Sequence, residues 1–138
     1  METFTLICGL PNAGKTTYSN RYKNVIHLDD YHFNNKYEAS NADVLRVLFS
    51  GDACLEGDYP TADIRKRVLS SISNISCKKV CIHLKISKET CLKRENRGRE
   101  EKLKKYLLND FEPPTKDEGW DEIIVINNEN DEEIRTSV

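Results

Sequence analysis

Short apolar runs alternate with polar, helix-compatible stretches along the chain, and each apolar run has the length of a strand. The run nearest the C-terminus is rich in β-branched residues, which favour strands. The predicted strands are residues 4–8, 25–28, 53–55, 79–86 and 123–126. This alternation predicts an α/β fold in which about five parallel strands form one sheet with helices on both faces.

The stretches between the strands have helical spacing of their apolar residues. Val44 and Leu48, for example, fall on one helical face after Asn41, which is an expected N-cap. Residues 34–40 are expected to form a loop, and the polar tail from Asn127 is expected to fray. Helices are predicted from Gly14 to Lys23, after Asn41, after Thr61, after Ser87 and from Glu100 to Leu108.

Residues 9–16, GLPNAGKT, follow the first predicted strand and fit G-x-x-x-x-G-K-[ST] at every fixed position. The glycines of such a loop let consecutive N–H groups point at one phosphate, and the following helix N-terminus adds positive charge there. Lys15 is expected to reach the β- and γ-phosphates, and the Thr16 hydroxyl to bind Mg²⁺. The motif therefore predicts a nucleoside triphosphate site. Its expected residues are Gly9, Pro11, Asn12, Ala13, Gly14, Lys15, Thr16 and Thr17.

The length of 138 residues predicts a single domain, residues 1–138. No apolar run is long enough to span a membrane and no basic-then-apolar leader precedes the first strand, so a cytoplasmic protein without a membrane partner is expected. Of the five cysteines, Cys8, Cys54 and Cys81 lie in strand-like stretches, which favours a reduced protein with buried thiols. The net charge of −2 lacks the basic surplus of proteins that wrap long nucleic acids. An acidic partner is therefore expected at a small site, and no protein partner follows from the sequence.

Acidic residues follow the second and third predicted strands, at the edge of the sheet where ligands of parallel sheets bind. Asp29 or Asp30 could take the proton of an acceptor hydroxyl while the γ-phosphoryl group moves, or could cap a turn or help to hold Mg²⁺. Glu56 or Asp58 could hold the water shell of the metal, or form an ordinary acidic turn. Spacing alone leaves these alternatives open.

Two groups of arginines come later in the chain. Arg65 and Arg67 lie on the helix after the third strand and could bind an acceptor phosphate, stabilise the acids of the site or face solvent. Arg94, Arg97 and Arg99 cluster within six residues, and the first two share a helix face. Guanidinium groups suit the oxygens of a transferring phosphoryl group, so this segment is expected to be a lid, with a solvated helix surface as the alternative.

In order along nearly the whole chain, these segments resemble the kinase domain of polynucleotide 5′-hydroxyl kinases, within the small P-loop kinases. The similar segments are residues 9–16, 27–31 (HLDDY), 56–60 (EGDYP) with Arg65 and Arg67, 94–100 (RENRGRE), 111–115 (FEPPT) and 118–120 (EGW). The two C-terminal segments are the most specific, because no general requirement of nucleotide binding dictates them.

The resemblance implies a P-loop NTPase fold with a short arginine-rich lid, ATP and Mg²⁺ as cofactors, and the 5′ end of an oligonucleotide as partner. It implies that Asp29 activates the acceptor hydroxyl and that Lys15 acts on the triphosphate. Thr16 and Glu56 would hold the metal, although Glu56 stands where an aspartate is usual. Arg94 and Arg97, or Arg99, would grip the phosphates from the lid. The implied acceptor-binding residues are Asp29, Asp30, His32, Arg65 and Arg67, and His32 stands where some relatives carry an arginine.

The preferred function is therefore transfer of the γ-phosphoryl group of ATP to a polynucleotide 5′-hydroxyl group. The weak basic balance favours a second acceptor, a small alcohol such as a nucleoside or a sugar-type compound. An NTP hydrolase or GTP-regulated switch is less favoured, because Asp29 is sited for an alcohol acceptor. A non-catalytic nucleotide-binding module is disfavoured by the intact Lys15 and Thr16.

Overall fold

The computed structural model describes residues 1–130 and 134–137 of the chain. The rest of the predicted C-terminal tail, residues 131–133 and 138, lies outside the described residues. The strands are β1 (Glu2–Gly9), β2 (Val25–His27), β3 (Ala53–Glu56), β4 (Cys77–Lys85), β5 (Glu122–Asn127) and β6 (Ile134–Ser137). The helices are α1 (Lys15–Ser19), α2 (Lys36–Leu48), α3 (Ala62–Ser71), α4 (Lys88–Lys93) and α5 (Glu100–Tyr106), with 3-10 turns at Leu28–Asp30 and Lys116–Glu118.

One sheet joins all the described strands in the order β2-β3-β1-β4-β5-β6. The first five strands in this order are parallel, which confirms the predicted α/β architecture. β6 is a difference from the prediction, because it pairs antiparallel with β5 and makes the sheet mixed. The expectation of a frayed tail is wrong for residues 134–137. The edge of β5 offers unpaired backbone groups to this segment, whose exposed side chains give no apolar pattern.

The two faces of the sheet bury separate apolar clusters. Alternation along β1 sends Phe4 and Leu6 to the face covered by α2 and α3, and Ile7 to the face covered by α1, α4 and α5. All five cysteines are buried free thiols, as the sequence predicted. None of the described helices is long and apolar enough to cross a membrane.

Two helices begin at predicted N-cap residues whose side chains accept a backbone hydrogen bond. Thr61 accepts a hydrogen bond from the Ile64 N–H at the start of α3, and Ser87 does the same for the Thr90 N–H at the start of α4. The predicted cap at Asn41 is wrong, and so is the predicted loop at residues 34–40. Helix α2 begins at Lys36, because the ring of Tyr37 packs edge-on against buried Tyr59 and holds the first turn on the core. Tertiary packing here outweighs a polar local sequence.

The order of the strands positions the GLPNAGKT loop. β1 lies between β3 and β4, so the loop at the carboxyl end of β1 is flanked by the ends of both neighbours. After β1 the chain forms β2 and β3 on one side of β1. After β3 it crosses to the other side of β1 and forms β4. Such a switch in direction opens a crevice at the carboxyl edge of a parallel sheet.

Candidate active site

The loop of residues 9–16 has a backbone that its residue types make possible. Gly14 has a φ of 95° and Asn12 a φ of 65°, both in the left-handed region that glycine and asparagine tolerate best. A Cβ on Gly9 would lie 2.3 Å from the carbonyl oxygen of Leu84, so no larger residue fits beside β4. Gly14 leads directly into α1, as a phosphate-binding loop requires.

A cavity of about 240 Å³ lies over this loop. One wall is formed by the loop and the start of α1: Pro11, Asn12, Gly14, Lys15, Thr16 and Thr17. The opposite wall is formed by the ends of the neighbouring strands: Asp29, Glu56, Gly57 and Asp58. Arg97 and Arg99 also line the cavity, and they belong to the predicted lid segment, residues 94–99. The fold therefore brings most of the predicted donor and catalytic residues to one cavity, while Gly9 and Ala13 support the loop from below, buried.

Lys15 has all three of its ammonium protons occupied by the protein. Its Nζ lies 2.8 Å from the Gly9 carbonyl oxygen, 2.7 Å from the Leu10 carbonyl oxygen and 2.8 Å from Asp58 Oδ1. Lys15 is buried, whereas the Asp58 side chain is 38% exposed. The contact with Asp58 is therefore the one that a phosphate in the cavity can most easily replace.

A hydroxyl and a carboxylate meet at the corner of the cavity beside Lys15. Thr16 Oγ1 donates to Glu56 Oε1 at 3.3 Å, and His27 Nδ1 lies 2.8 Å from the same oxygen. Mg²⁺ prefers oxygen ligands and usually takes one or two from protein beside substrate phosphates and water. Thr16 and Glu56 fit this requirement, and His27 at the end of β2 orients the carboxylate.

Asp29 is one of the carboxylates that line the cavity. It lies in the 3-10 turn after β2, is exposed, and lines the cavity. Its neighbours Asp30 and His32 are also exposed, but neither lines the cavity. Of the acidic pair, only Asp29 is therefore directed to the loop that would hold the donor.

The lid segment is attached to the phosphate-binding loop through Asn12 and Glu95. Asn12 Nδ2 donates to Glu95 Oε1 at 3.1 Å, and Arg99 Nη2 donates to Asn12 Oδ1 at 3.2 Å and to Glu95 Oε1 at 3.0 Å. These hydrogen bonds lower the pKa of Glu95 to about 2, and the bond from Arg99 has a larger effect than the bond from Asn12. Glu95 therefore stays ionised and holds Arg99 over the cavity.

Arg94 has a different position from the one expected. It donates to the carbonyl oxygens of Asn12 at 3.2 Å and of Asn128 at 2.6 Å, and it does not line the cavity. Asn128 in turn donates through Nδ2 to the Ala13 carbonyl oxygen at 3.0 Å. Arg94 thus joins the phosphate-binding loop to the end of β5, and the lid arginines at the cavity are Arg97 and Arg99.

The expectation that Arg65 contacts the acceptor is wrong in this structure. Arg65 is 0% exposed and pairs with Glu118, from Nε to Oε1 at 2.8 Å and from Nη2 to Oε2 at 3.0 Å. It also donates to the carbonyl oxygens of Tyr59 and Glu112, each at 2.7 Å. Arg65 therefore fastens the segment before β5 onto α3. Arg67, two residues later, is exposed and lines a separate groove between α2 and α3.

Sequence reasoning missed three residues of the site. The sequence assigns His27 to the strand of residues 25–28 and to the HLDDY segment, Glu95 to the basic segment and Asn128 to the polar tail, and it gives none of the three a role in the site. The signal available for Glu95 was its place between Arg94 and Arg99, where a carboxylate can pair with a guanidinium one helical turn away. The partners of His27 and Asn128 lie 29 and 115 residues away, so spacing carries no signal for them.

Comparison with known proteins bears on the fold. No protein-family profile and no curated protein matches the chain. A solved sugar kinase from Janibacter sp. is 16% identical, with a TM-score of 0.63 over 92% of this chain and 86% of that one. A gluconokinase from Sinorhizobium meliloti is 13% identical, with a TM-score of 0.61 over 91% and 82%. Kti12 from Chaetomium thermophilum, in complex with ADP-AlF3, is 16% identical, with a TM-score of 0.59 over 94% and 91%.

This chain shares its fold with these solved structures. At such low identity the similarity is one of fold, so the chemistry of the site is argued below from the residues of this chain.

Proposed function

We propose that this protein transfers the γ-phosphoryl group of ATP to a hydroxyl group, and that its preferred acceptor is a polynucleotide 5′-hydroxyl. The observation that carries the proposal is the shared cavity of Lys15, Asp29, Arg97 and Arg99. It joins a phosphate-binding loop, a carboxylate able to take a proton and two guanidinium groups within one small volume. A hydrolase or a plain nucleotide-binding module does not need this combination.

The roles of the residues follow from their positions. The donor phosphates lie along the loop, and Lys15 exchanges Asp58 for the β- and γ-phosphates. Asp29 accepts the proton of the acceptor hydroxyl as its oxygen bonds to the γ-phosphorus and the bond to the bridging oxygen of ADP breaks. Arg97 and Arg99 stabilise the charge of the transferring group. Mg²⁺ bound at Thr16 and Glu56 would neutralise phosphate charge.

A kinase of a small alcohol is the second candidate. The similar solved structures include a sugar kinase and a gluconokinase, and the chain has a slightly acidic net charge. Support for the polynucleotide acceptor comes from the order of the motifs along the chain, including the segments at residues 111–115 and 118–120. A cytoplasmic location and the single domain stay predictions.

The test is transfer of labelled γ-phosphate from ATP into a panel of 5′-hydroxyl oligonucleotides and small alcohols. Lys15→Ala is expected to abolish transfer, because the donor phosphates lose their buried cation. Asp29→Asn is expected to keep ATP binding and to slow transfer by roughly 10²–10⁴-fold.

Asp30→Asn is the matched control for Asp29, since it makes the same change one residue away and outside the cavity. Equal rates for both asparagine variants would remove Asp29 from the catalytic role. Full transfer by Lys15→Ala would remove the donor assignment. Label in the small alcohols alone would replace the polynucleotide acceptor by the second candidate.

A further inference from the structure

A second cavity, of about 500 Å³, lies between α2 and α3. The catalytic residues do not line it, and its size is within the range of about 300–1,000 Å³ typical of small-ligand sites. Its apolar walls come from Tyr37 and Leu45 of α2 and from Ile64 of α3. We call it the α2/α3 groove.

Two polar side chains of the α2/α3 groove have unused binding capacity. Asn41 is only 7% exposed, yet within the described part of the chain its Oδ1 accepts no hydrogen bond. A buried amide oxygen without a partner is unfavourable, so such atoms call for an explanation. Arg67 is exposed, and no carboxylate of residues 1–130 or 134–137 lies within ion-pair distance of its guanidinium group. The groove thus offers one acceptor, one cation and an apolar surface.

Tyr37 connects this groove with the catalytic cavity. Its ring lines the groove and lies 5.8 Å from the ring of Tyr59. Tyr59 directly follows Asp58, the residue that pairs with Lys15 in the catalytic cavity. The ammonium group of Lys36 lies over the Tyr37 ring, 5.3 Å from its centre. Tyr37, at the start of α2, therefore links the lining of the groove to the segment after β3 that carries Asp58.

We propose that the α2/α3 groove binds the nucleotide next to the accepting 5′ end of a single-stranded polynucleotide. This proposal rests on the proposed function, and it specifies which nucleotide of the acceptor the protein would recognise. Single-stranded nucleic acids are recognised by aromatic stacking, by hydrogen bonds to base edges and by cations at their phosphates. Tyr37 supplies the ring, Asn41 the amide for an amino group of the base, and Arg67 the cation.

The charge of the groove limits the number of acceptor nucleotides that it can bind. Glu38 lines the same groove as Arg67, so the pair presents one charge of each sign. Since the two charges cancel, the groove has one cation for one phosphate and no surplus positive charge for a run of several phosphates. This agrees with the net charge of −2, which does not suit an extended nucleic-acid surface.

The decisive experiment compares Arg67→Glu with Lys66→Glu. The two variants make the same charge change at adjacent exposed positions, but only Arg67 lines the groove. Transfer is measured with two acceptors, a short 5′-hydroxyl oligonucleotide and a nucleoside 3′-phosphate, which lacks the neighbouring nucleotide that the groove would bind. Arg67→Glu is expected to raise the ratio of the oligonucleotide KM to the nucleoside 3′-phosphate KM about tenfold, and to reduce the salt slope of oligonucleotide binding by about one.

Lys66→Glu is expected to leave that ratio within about twofold of the wild type. An equal ratio in both variants, while the wild-type protein phosphorylates oligonucleotides, overturns the groove proposal and leaves the proposed function intact. A wild-type protein that phosphorylates only small alcohols overturns the polynucleotide acceptor and the groove proposal together.

Asn41→Leu gives an independent test, because it replaces the amide by an apolar side chain of similar size. Since its oxygen has no partner in the fold, the variant is expected to unfold at or above the wild-type temperature. Its affinity for the 3′-labelled oligonucleotide, measured by fluorescence anisotropy, is expected to fall about tenfold. A lower unfolding temperature with unchanged affinity would make the amide a structural group and overturn its assignment to the acceptor.

Discussion

Replacing Arg65 by methionine tests whether this arginine serves the substrate or the fold. Its guanidinium group is fully buried and donates four hydrogen bonds, two to Glu118 and one each to the carbonyl oxygens of Tyr59 and Glu112. Burial opposes ionisation of Glu118, but hydrogen bonds from Arg65 and Trp120 outweigh it and hold the pKa of this carboxyl group below its usual value. Glu118 is therefore a buried anion that depends on Arg65.

The size of the effect follows from the charge that the substitution leaves behind. Removing one partner of a buried ion pair typically lowers the free energy of unfolding by about 3–5 kcal/mol. Glu118 keeps hydrogen bonds from Trp120 Nε1 and the Thr115 N–H, which prevents a larger loss. A domain of this size has a total stability of about 5–15 kcal/mol, so Arg65→Met is expected to stay folded but to lower the unfolding temperature by roughly 10–15 °C.

The assay is thermal and urea unfolding followed by circular dichroism, with Arg67→Met as the matched control. Arg67 is exposed and unpaired in the described chain, so its variant is expected within about 0.5 kcal/mol of the wild type. The double variant Arg65→Met/Glu118→Leu is expected to recover part of the loss, because it leaves no buried charge. Wild-type stability of Arg65→Met, combined with weaker acceptor binding, would refute the structural role and return Arg65 to the substrate.

Two further predictions concern charge. Asp58→Asn is expected to tighten ATP binding a few-fold in isothermal titration, because the donor phosphates no longer compete with a carboxylate for Lys15; weaker binding would instead make Asp58 part of the donor site. Burial, aided by the positive charges of Lys85, Arg65 and Lys15, lowers the pKa of His83 from 6.5 to about 4. The unfolded chain therefore binds more protons between these values, and stability is expected to fall by roughly 2 kcal/mol from pH 7 to pH 5. His83→Gln is expected to remove that part of the pH dependence in urea unfolding, and an unchanged slope would contradict it.

The strands and the donor site could be predicted because their signals are local. Each parallel strand is a short apolar run, and the phosphate-binding loop requires glycines at fixed spacing directly between a strand and a helix. The position of Asp29 at the cavity could be predicted for the same reason, since it directly follows a strand whose carboxyl end must lie at the ligand-binding edge. The N-caps at Thr61 and Ser87 also depend only on residues three positions away.

The wrong predictions concern contacts that the local sequence pattern does not express. The start of α2 depends on Tyr59, which packs on Tyr37 from 22 residues away. β6 exists because the edge of β5 accepts it, although its own sequence has no strand pattern. In both places a contact with another segment outweighs the local preference.

The sequence by itself determined the order of strands and helices and the phosphate-binding loop, because these follow from hydrophobic periodicity and backbone sterics within a few neighbouring residues. Only the tertiary structure decided which of two nearby arginines is buried and stabilises the fold and which lines a groove. Arg65 and Arg67 have the same chemistry, but the partners of Arg65 include a carboxylate 53 residues away, and burial makes that pair a structural one. A long-range ion pair of this kind is fixed by where the folded chain brings its members, which no spacing along the chain expresses.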